Sequence, residues 1–296
     1  MRTEKPDSWH IGVIGGSGLA GGIALDAAQE IAVASPFGEP SGPVTTGTLA
    51  GGQGPVRFTF IARHGEGHRL SPGAVNYRAN IDVLKRCGVT DVLALSAIGS
   101  LRETLAPGHF VAVDQFIDRT AGRPQSFFGA GLVAHVGLAD PVCPRLSAAA
   151  VAAARAAGAS VHEGGTYLAM EGPQFSTRAE SRLYRQWDAD VIGMTAMPEA
   201  RLAREAELPY ALLGMVTDWD AWREEEAGVE VSQVLDVMRA NAALARDAVR
   251  ALALLLPARR PASPIDRTLD HALITAPAQR DARLVAMLDA VAGRVL

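Results

Sequence analysis

Short apolar segments alternate with helical patterns along this chain, and the alternation limits the fold more than any other feature. Six segments are short enough and apolar enough for buried strands, at 10–14, 56–61, 91–96, 110–113, 191–194 and 210–216. Helical patterns occupy 74–86, 146–157, 177–187, 198–207, 231–256 and 282–295, the third with Ser176 as its expected N-cap. Strands that alternate with helices predict an α/β fold in which helices cover both faces of a mostly parallel sheet.

Chain length and composition predict one large domain. A chain of 296 residues can bury a substantial core. We expect a flexible N-terminus at 1–8, a single domain at 9–256, a linker rich in proline and arginine at 257–268, and a C-terminal helical segment at 269–296. The last segment is expected to pack on the domain or on a neighbouring subunit.

Charge and cysteine content narrow the possible partners and the location. The net charge is −4 and the isoelectric point is near 6.0, which argues against a nucleic-acid partner because no basic patch is visible. No apolar run is long enough to span a membrane, so no membrane partner is expected. Cys87 and Cys143 are isolated, as is typical of reduced thiols. We therefore expect a cytoplasmic protein.

A glycine-rich turn follows the first expected strand. Gly16, Gly18 and Gly21 match the GxGxxG pattern of dinucleotide sites. Such a site also needs an acidic residue about twenty positions on, where this chain has only Glu39 in a Gly-Pro turn. We favour a phosphate nest made of backbone N–H groups and the Ser17 hydroxyl, with a dinucleotide site or a purely structural turn as alternatives.

The segment ARHGEGH, after the second expected strand, has two histidines four residues apart. His64 and His68 flank Glu66, which resembles the H-E-x-x-H zinc motif, but the acid has the wrong offset and the two intervening glycines disfavour a helix. Arg63 and His64 fit oxyanion binding better, because a guanidinium offers planar paired donors. The alternative for His64 is a loop histidine without a ligand.

A third strand end, in SAIGSL, offers Ser96 and Ala97 with small side chains and exposed N–H groups. Ligands of α/β sheets gather at the carboxyl ends of parallel strands. Ser17, Arg63 and His64 stand at two other such ends, so the three together predict a site for a small oxyanion such as phosphate.

The segment MVTDWDAW ends the last expected strand with two acids, Asp218 and Asp220. Side chains alternate along a strand, so both carboxyl groups would lie on the same side and face one ligand edge. The alternative is a solvated strand end that caps the next helix.

Several longer segments resemble the purine nucleoside phosphorylase and methylthioadenosine phosphorylase family. The most specific are EGPQFSTRAESRLYRQWDADVIGMTAMPEA, at 171–200, and MVTDWDAW, supported by NYRANI, GSLRETLAPG, DQFIDRT and RPQSFF. The similarity extends from about residue 9 to about residue 255. It implies a single-domain, three-layer α/β/α fold with a central mixed β-sheet, in a chain that assembles as a homotrimer. Gly193 departs from the family pattern, where asparagine is common.

The resemblance also implies a set of site residues. The phosphate site would comprise Ser17, Arg63, His64, Ser96, Ala97 and Thr195. Phe175 would lie against the ribose and base, and the backbone N–H of Met194 would contact the ribose. His135, contributed by a neighbouring subunit, would lie near the 5′ group.

The reaction that the resemblance implies is phosphorolysis of 5′-methylthioadenosine to adenine and 5-methylthioribose 1-phosphate, a step of purine and methionine salvage. Inorganic phosphate is the co-substrate, and no cofactor or metal is expected. We expect Asp218 to be the acid that protonates N7 of the departing purine, because burial and the nearby charge of Asp220 would raise its pKa. Asp220 would accept a hydrogen bond from the 6-amino group, which favours adenine over 6-oxopurines.

Three alternatives stay open at this point. The same chemistry could act on 5′-methylthioinosine or on nucleosides with a free 5′-hydroxyl, as in a general purine nucleoside phosphorylase. Water could replace phosphate, as in related nucleosidases, although an anion site would then have no purpose. The chain could also be a binding module that holds a nucleotide without turnover, which an assay of phosphate dependence would reveal.

Overall fold

Eleven strands form one mixed sheet in the computed structural model of this chain, which describes residues 7–16, 19–223 and 231–296. The strands are β1 His10–Gly15, β2 Asp26–Ile31, β3 Val44–Leu49, β4 Val56–Ala62, β5 Asp91–Ser100, β6 Phe110–Val113, β7 Gln115–Arg119, β8 Val161–Glu163, β9 Thr166–Met170, β10 Val191–Gly193 and β11 Tyr210–Asp218. The helices are α1 Tyr77–Arg86, α2 Pro144–Ala156, α3 Arg178–Gln186, α4 Ala196–Glu205, α5 Val231–Leu255, α6 Ala282–Met287 and α7 Asp289–Ala292.

The sheet order places four parallel strands side by side at its centre. The order is β2-β3-β4-β1-β5-β10-β9-β7, while β11 pairs with β5 and β6, and β8 pairs with β6. Strands β4, β1, β5 and β11 run in one direction, whereas β3 against β4, β10 against β5 and β6 against β11 are antiparallel. The carboxyl ends of the four parallel strands therefore meet at one edge of the sheet.

Two apolar cores lie on opposite faces of the sheet. Along β5, Val92 and Ala94 belong to one core, which includes residues of α1, α4 and α7. Leu93 and Leu95 belong to the other, which includes residues of α2 and α5. Alternating side chains of one buried strand thus serve both faces, as expected for a strand covered on both sides. The expected three-layer α/β/α domain with a central mixed sheet is confirmed.

All six expected strands are present, and β1, β4, β5 and β11 extend one to four residues beyond their expected ends. Two expectations about helices were wrong. Helix α3 is capped by Thr177 and not by Ser176: the Thr177 hydroxyl accepts from the Glu180 N–H, and the Glu180 carboxylate accepts from the Thr177 N–H. The pattern at 282–295 forms two short helices, α6 and α7, because Leu288 interrupts the helix.

The segment after α5 is anchored on the rest of the chain. Arg260 is 5% exposed and pairs with Asp91 and, at 2.7 Å, with Asp266. The indole N–H of Trp9 donates to the carbonyl of Pro257 at 2.8 Å. The 269–296 region also contributes Leu269, Leu288 and Val291 to the core that contains α1. Within the described part of the chain, no helix combines the length and apolarity that crossing a bilayer requires.

Candidate active site

One cleft of about 760 Å³ opens at the carboxyl edge of the central parallel strands. That size suits a small organic ligand. Its lining includes Gly16, Arg63, His64, Ser96, Ala97, Gly99, Phe175, Met194, Thr195, Thr217, Asp218 and Asp220. The cleft therefore brings together the oxyanion donors and the paired acids that the sequence placed at separate strand ends.

Arg63 follows β4 and is held by a buried ion pair. Its side chain is 3% exposed, its Nε and Nη2 groups donate to the Glu199 carboxylate at 2.8 and 2.9 Å, and its Nη1 group donates to the Leu95 carbonyl at 3.0 Å. Burial alone would lower the pKa of Arg63, but the charge and hydrogen bonds of Glu199 raise it above its ordinary value. The guanidinium is therefore charged and fixed in orientation, while Glu199 compensates much of its field.

His64 is neutral and stacked on a second histidine. Its Nδ1 lies 2.9 Å from the carbonyl oxygen of Leu70, and its ring lies 4.2 Å from that of His68, with 11° between the planes. Burial lowers the pKa of His64 to about 4, the charges of Arg63 and His68 also lower it, and the bond to Leu70 opposes them. Two stacked rings cannot chelate one metal ion, and no group of three metal-ligating side chains occurs within the described ranges.

Ser96 and Thr195 meet across the sheet beside a buried tyrosine. Their hydroxyl oxygens lie 3.3 Å apart, and the Tyr167 hydroxyl accepts from the Thr195 N–H at 3.4 Å. Burial raises the pKa of Tyr167, while its hydrogen bonds with Thr195 and Ser96 lower it. A side chain at Gly193 would place its Cβ 2.1 Å from the Tyr167 hydroxyl. The tyrosine thus occupies the space that an asparagine at 193 would need.

The two aspartates do not occupy alternate positions of a regular strand, as the sequence argument assumed. The pairing of β11 shifts register between Val216 and Asp218, and Asp220 lies beyond the strand with a φ of 51°. The Asp218 carboxylate accepts from the Thr217 hydroxyl at 2.7 Å and from the Asp220 N–H at 2.9 Å. Both acids nevertheless line the cleft. The turn at Asp220, and not the alternation of side chains along a strand, brings the two carboxyl groups to the same cleft.

Asp220 is the more deeply buried acid of the pair. The residue is 7% exposed, whereas Asp218 is half-buried. Burial raises its pKa, while the Ser181 hydroxyl, the Ala221 N–H and the Ser176 hydroxyl oppose the rise. Those hydroxyls lie close to the carboxyl group, but within the described chain Oδ2 has no well-formed hydrogen bond. Burial disfavours the charged form of a carboxyl group, which is the cause of the upward shift in pKa.

The model of the family described as "Phosphorylase superfamily" matches residues 10–254. This chain belongs to the phosphorylase superfamily.

Similar proteins within the superfamily carry a more specific name. The chain is 56% identical over 288 residues to the S-methyl-5'-thioadenosine phosphorylase of Cereibacter sphaeroides, covering 97% of this chain and 98% of the relative. It is 54% identical to the protein of the same name from Bradyrhizobium diazoefficiens, with the same coverage. Among solved structures, a methylthioadenosine phosphorylase from an antarctic soil metagenomic library has a TM-score of 0.90 at 43% identity, over 96% of this chain and 99% of that one. The Schistosoma mansoni methylthioadenosine phosphorylase in complex with adenine has a TM-score of 0.75 at 36% identity, over 82% of this chain and 90% of that one.

The remaining residues expected from the superfamily resemblance fall into three groups. Phe175, which is 45% exposed, and Met194 line the cleft. His135 is exposed and is not among the residues that line the cleft of its own chain; its backbone N–H donates to the Ala272 carbonyl at 2.9 Å. Ser17 lies outside the described residues.

Sequence analysis missed two buried residues of this phosphorylase-superfamily site. Glu199 and Tyr167 do not themselves stand at expected strand ends, and each reaches the site from another part of the chain. Glu199 lies 136 positions from Arg63, and Tyr167 lies 28 positions from Thr195. Glu199 could have been predicted only from the need of a buried Arg63 for a counter-charge, and the burial of Arg63 is not visible in the sequence.

Proposed function

We propose that this chain catalyses phosphorolysis of 5′-methylthioadenosine, which yields adenine and 5-methylthioribose 1-phosphate. The observation that carries the proposal is that one cleft is lined both by oxyanion donors and by two carboxyl groups, those of half-buried Asp218 and buried Asp220. Relatives that are 45–56% identical over 90–97% of the chain are named for this nucleoside, with one shorter match at 85%, which supports the choice of substrate. Purine and methionine salvage is the setting in which such a reaction belongs.

The phosphate is proposed to bind where the donor groups of the cleft converge. Arg63 offers its remaining N–H groups, Ser96 and Thr195 offer hydroxyl groups, and Ala97 offers backbone. His64 completes the described part of this set, and Ser17, outside the described residues, stays in it as a prediction. Because Glu199 fixes the guanidinium plane, Arg63 can donate without first reorganising, which favours stabilisation of a reacting anion.

The purine is proposed to lie against the two aspartates. The sequence argument gave the acid role to Asp218, but Asp220 is the more buried of the two acids, and burial raises the pKa of Asp220. We therefore propose that Asp220 holds the proton for the purine N7. Asp218, whose carboxylate already accepts from Thr217 and from the Asp220 N–H, would accept from the 6-amino group as well.

The chemical step is a single displacement at C1′. A phosphate oxygen forms the new bond to C1′ as the C1′–N9 bond breaks, the bonding electron pair stays with the purine, and N7 gains a proton. Phe175 would cover the ribose and base, and Met194 would contact the ribose. We propose that neither a metal nor an organic cofactor takes part, since hydrogen-bond donors can compensate the charge of phosphate and the carboxyl pair can serve the leaving group.

The assembly and the location are further parts of the proposal. We propose a cytoplasmic homotrimer in which His135 reaches the cleft of a neighbouring subunit, close to the 5′ substituent. Exposure of His135 supports this role, as does the exposed apolar surface beside it: Val133 is 37% exposed and Ile274 is 62% exposed. The test is sedimentation of the purified chain, where three chains per particle are expected.

The activity is tested by adenine release from 5′-methylthioadenosine with and without phosphate, beside 5′-methylthioinosine and adenosine in the same buffer. Release that requires phosphate and is fastest with 5′-methylthioadenosine is the expected result. Equal release without phosphate would mean hydrolysis. Faster turnover of 5′-methylthioinosine would contradict the role given to the aspartates, and binding without turnover would contradict an enzyme altogether.

A further inference from the structure

We propose that His64 accepts a hydrogen bond from the bound oxyanion, and that the cleft therefore selects anions that carry a proton over anions of the same shape that do not. The inference rests on the proposed phosphate site. Phosphate and arsenate carry an O–H group as dianions at neutral pH, whereas sulfate and selenate carry none. His64 would thus be a specificity-determining residue for the second substrate.

The hydrogen bond of His64 to the main chain fixes its tautomer. A carbonyl oxygen can only accept, so the Nδ1 that lies 2.9 Å from the Leu70 oxygen must carry the hydrogen. A neutral imidazole has one N–H group, and its other nitrogen is then an acceptor. The Nε2 atom of His64 is therefore a lone-pair acceptor as long as the ring is neutral.

The surroundings of the ring keep it neutral. Burial has the largest effect and lowers the pKa of His64 to about 4, and the Arg63 guanidinium and the stacked His68 act in the same direction. Only the bond to the Leu70 carbonyl favours the charged form. A bound dianion favours protonation of the ring, and burial, the largest cause, opposes it together with the Arg63 charge.

The acceptor atom has no protein partner in the described part of the chain, although His64 lines the cleft. A ligand that fills the cleft and displaces water from Nε2 is placed to supply the missing donor. The other groups of the proposed phosphate site do not require a hydrogen on the ligand. Arg63 donates, and the hydroxyls of Ser96 and Thr195 can rotate to donate to any oxygen. His64 is therefore the one member of the described oxyanion set whose partner must bring a hydrogen.

A bound anion without a hydrogen would place its lone pairs against that of Nε2. Sites built to pair with a hydroxyl group reject analogues that lack it, because a buried polar group is left unpaired. We expect sulfate to bind about 5- to 150-fold more weakly than phosphate. Selenate should be weaker than arsenate by a similar factor, since that pair differs in the same way at a larger size.

The experiment compares anions on the intact protein. The KM for phosphate and for arsenate is measured from adenine release, and the inhibition constants of sulfate and selenate are measured as competitors of phosphate. His64→Gln replaces the fixed acceptor by an amide that can turn its N–H₂ group toward either anion. The ratio of the sulfate constant to the phosphate KM should therefore fall to about one in His64→Gln, and selenate should follow. His68→Phe is the matched control, because it keeps a stacked ring beside His64 and should keep the wild-type ratio.

A spectroscopic measurement makes the inference testable even if the variant fails to fold. The ¹⁵N shifts of His64 in the wild-type protein should report protonated Nδ1 and bare Nε2 at pH 7, with a change at Nε2 when phosphate binds and none with sulfate. Protonated Nε2, or sulfate binding as tightly as phosphate, would overturn the inference. A ratio that falls in His68→Phe and not in His64→Gln would overturn it too. If adenine release needs no phosphate at all, the proposed function has failed instead.

Discussion

Removal of the charge of Glu199 is the most informative perturbation of the proposed phosphate site. Glu199 is 1% exposed, and its carboxylate accepts two hydrogen bonds from Arg63 and one from the Tyr210 hydroxyl at 3.0 Å. Glu199→Gln keeps the shape, but its amide N–H₂ group must face a donor of Arg63 or Tyr210. The charge of a guanidinium whose side chain is 3% exposed would then be left without compensation.

Breaking a buried pair by removing one partner costs about 3–5 kcal/mol. For a chain of this size, each kcal/mol lowers the melting temperature by about 2–4 °C, so Glu199→Gln should melt roughly 6–20 °C below the wild type. Phosphate should stabilise the variant more than the wild type, because a bound dianion would compensate the bared guanidinium. Urea denaturation with and without phosphate measures both effects.

Glu205, in the same helix, offers a matched control. It is also buried, but its carboxylate accepts only from neutral donors, the Ser126 hydroxyl and the Phe127 N–H, both at 2.7 Å. No ion pair to Glu205 occurs in the described part of the chain, so Glu205→Gln leaves no buried cation without its counter-charge. We expect it to cost about 1 kcal/mol and to leave the effect of phosphate unchanged. If Glu199→Gln costs less than about 1 kcal/mol, or if phosphate stabilises it no more than the wild type, the reasoning is refuted.

Three further predictions concern other parts of the structure. Asp220→Asn should lower kcat by about 10²- to 10⁴-fold. In urea denaturation, Asp220→Asn should be more stable than the wild type at pH 8, and the difference should disappear toward pH 4. Burial raises the pKa of Asp220 in the folded state, so protonation of Asp220 stabilises the wild-type fold. That stabilisation is full below the unfolded-state pKa of about 3.9 and is lost as the pH rises through the folded-state pKa. Tyr167→Phe should raise the KM for phosphate and leave that for the nucleoside unchanged in initial-rate assays, because the lost hydroxyl contacts Thr195; a rise in the nucleoside KM alone would count against it. Arg260→Met should destabilise the chain by about 3–5 kcal/mol with KM values unchanged, because it leaves buried Asp91 without one of its partners; wild-type thermal stability would show that the segment after α5 is not anchored as described.

The sequence was sufficient to predict the central strands and the place of the cleft. Strand β5 is apolar along most of its length and is buried on both faces, so its pattern is strong. Strands β2 and β3 were missed, because the side chains of β2 are almost all exposed and β3, VTTGTL, has polar threonines and a glycine. β2 lies at the edge of the sheet and β3 lies between β2 and β4; both are held by pairing with their neighbours, and their own residues give little periodic signal.

Within the site, residue types could be predicted and their electrostatic states could not. Arg63 and His64 were expected from their position after a strand, but the compensation of Arg63 by Glu199 depends on contacts between distant segments. The turn at Asp220 depends on a register shift that no alternation pattern shows. Burial raises the pKa of Asp220, and burial of single residues follows only from the packed structure.

The central claim is that phosphate itself becomes part of the product. The most direct measurement is ³¹P NMR of a reaction mixture of the protein, 5′-methylthioadenosine and inorganic phosphate, with adenine quantified in the same sample. The account predicts a new sugar phosphate ester signal that grows in equal amount with adenine while inorganic phosphate declines. Adenine that accumulates while the phosphate signal stays constant would contradict it.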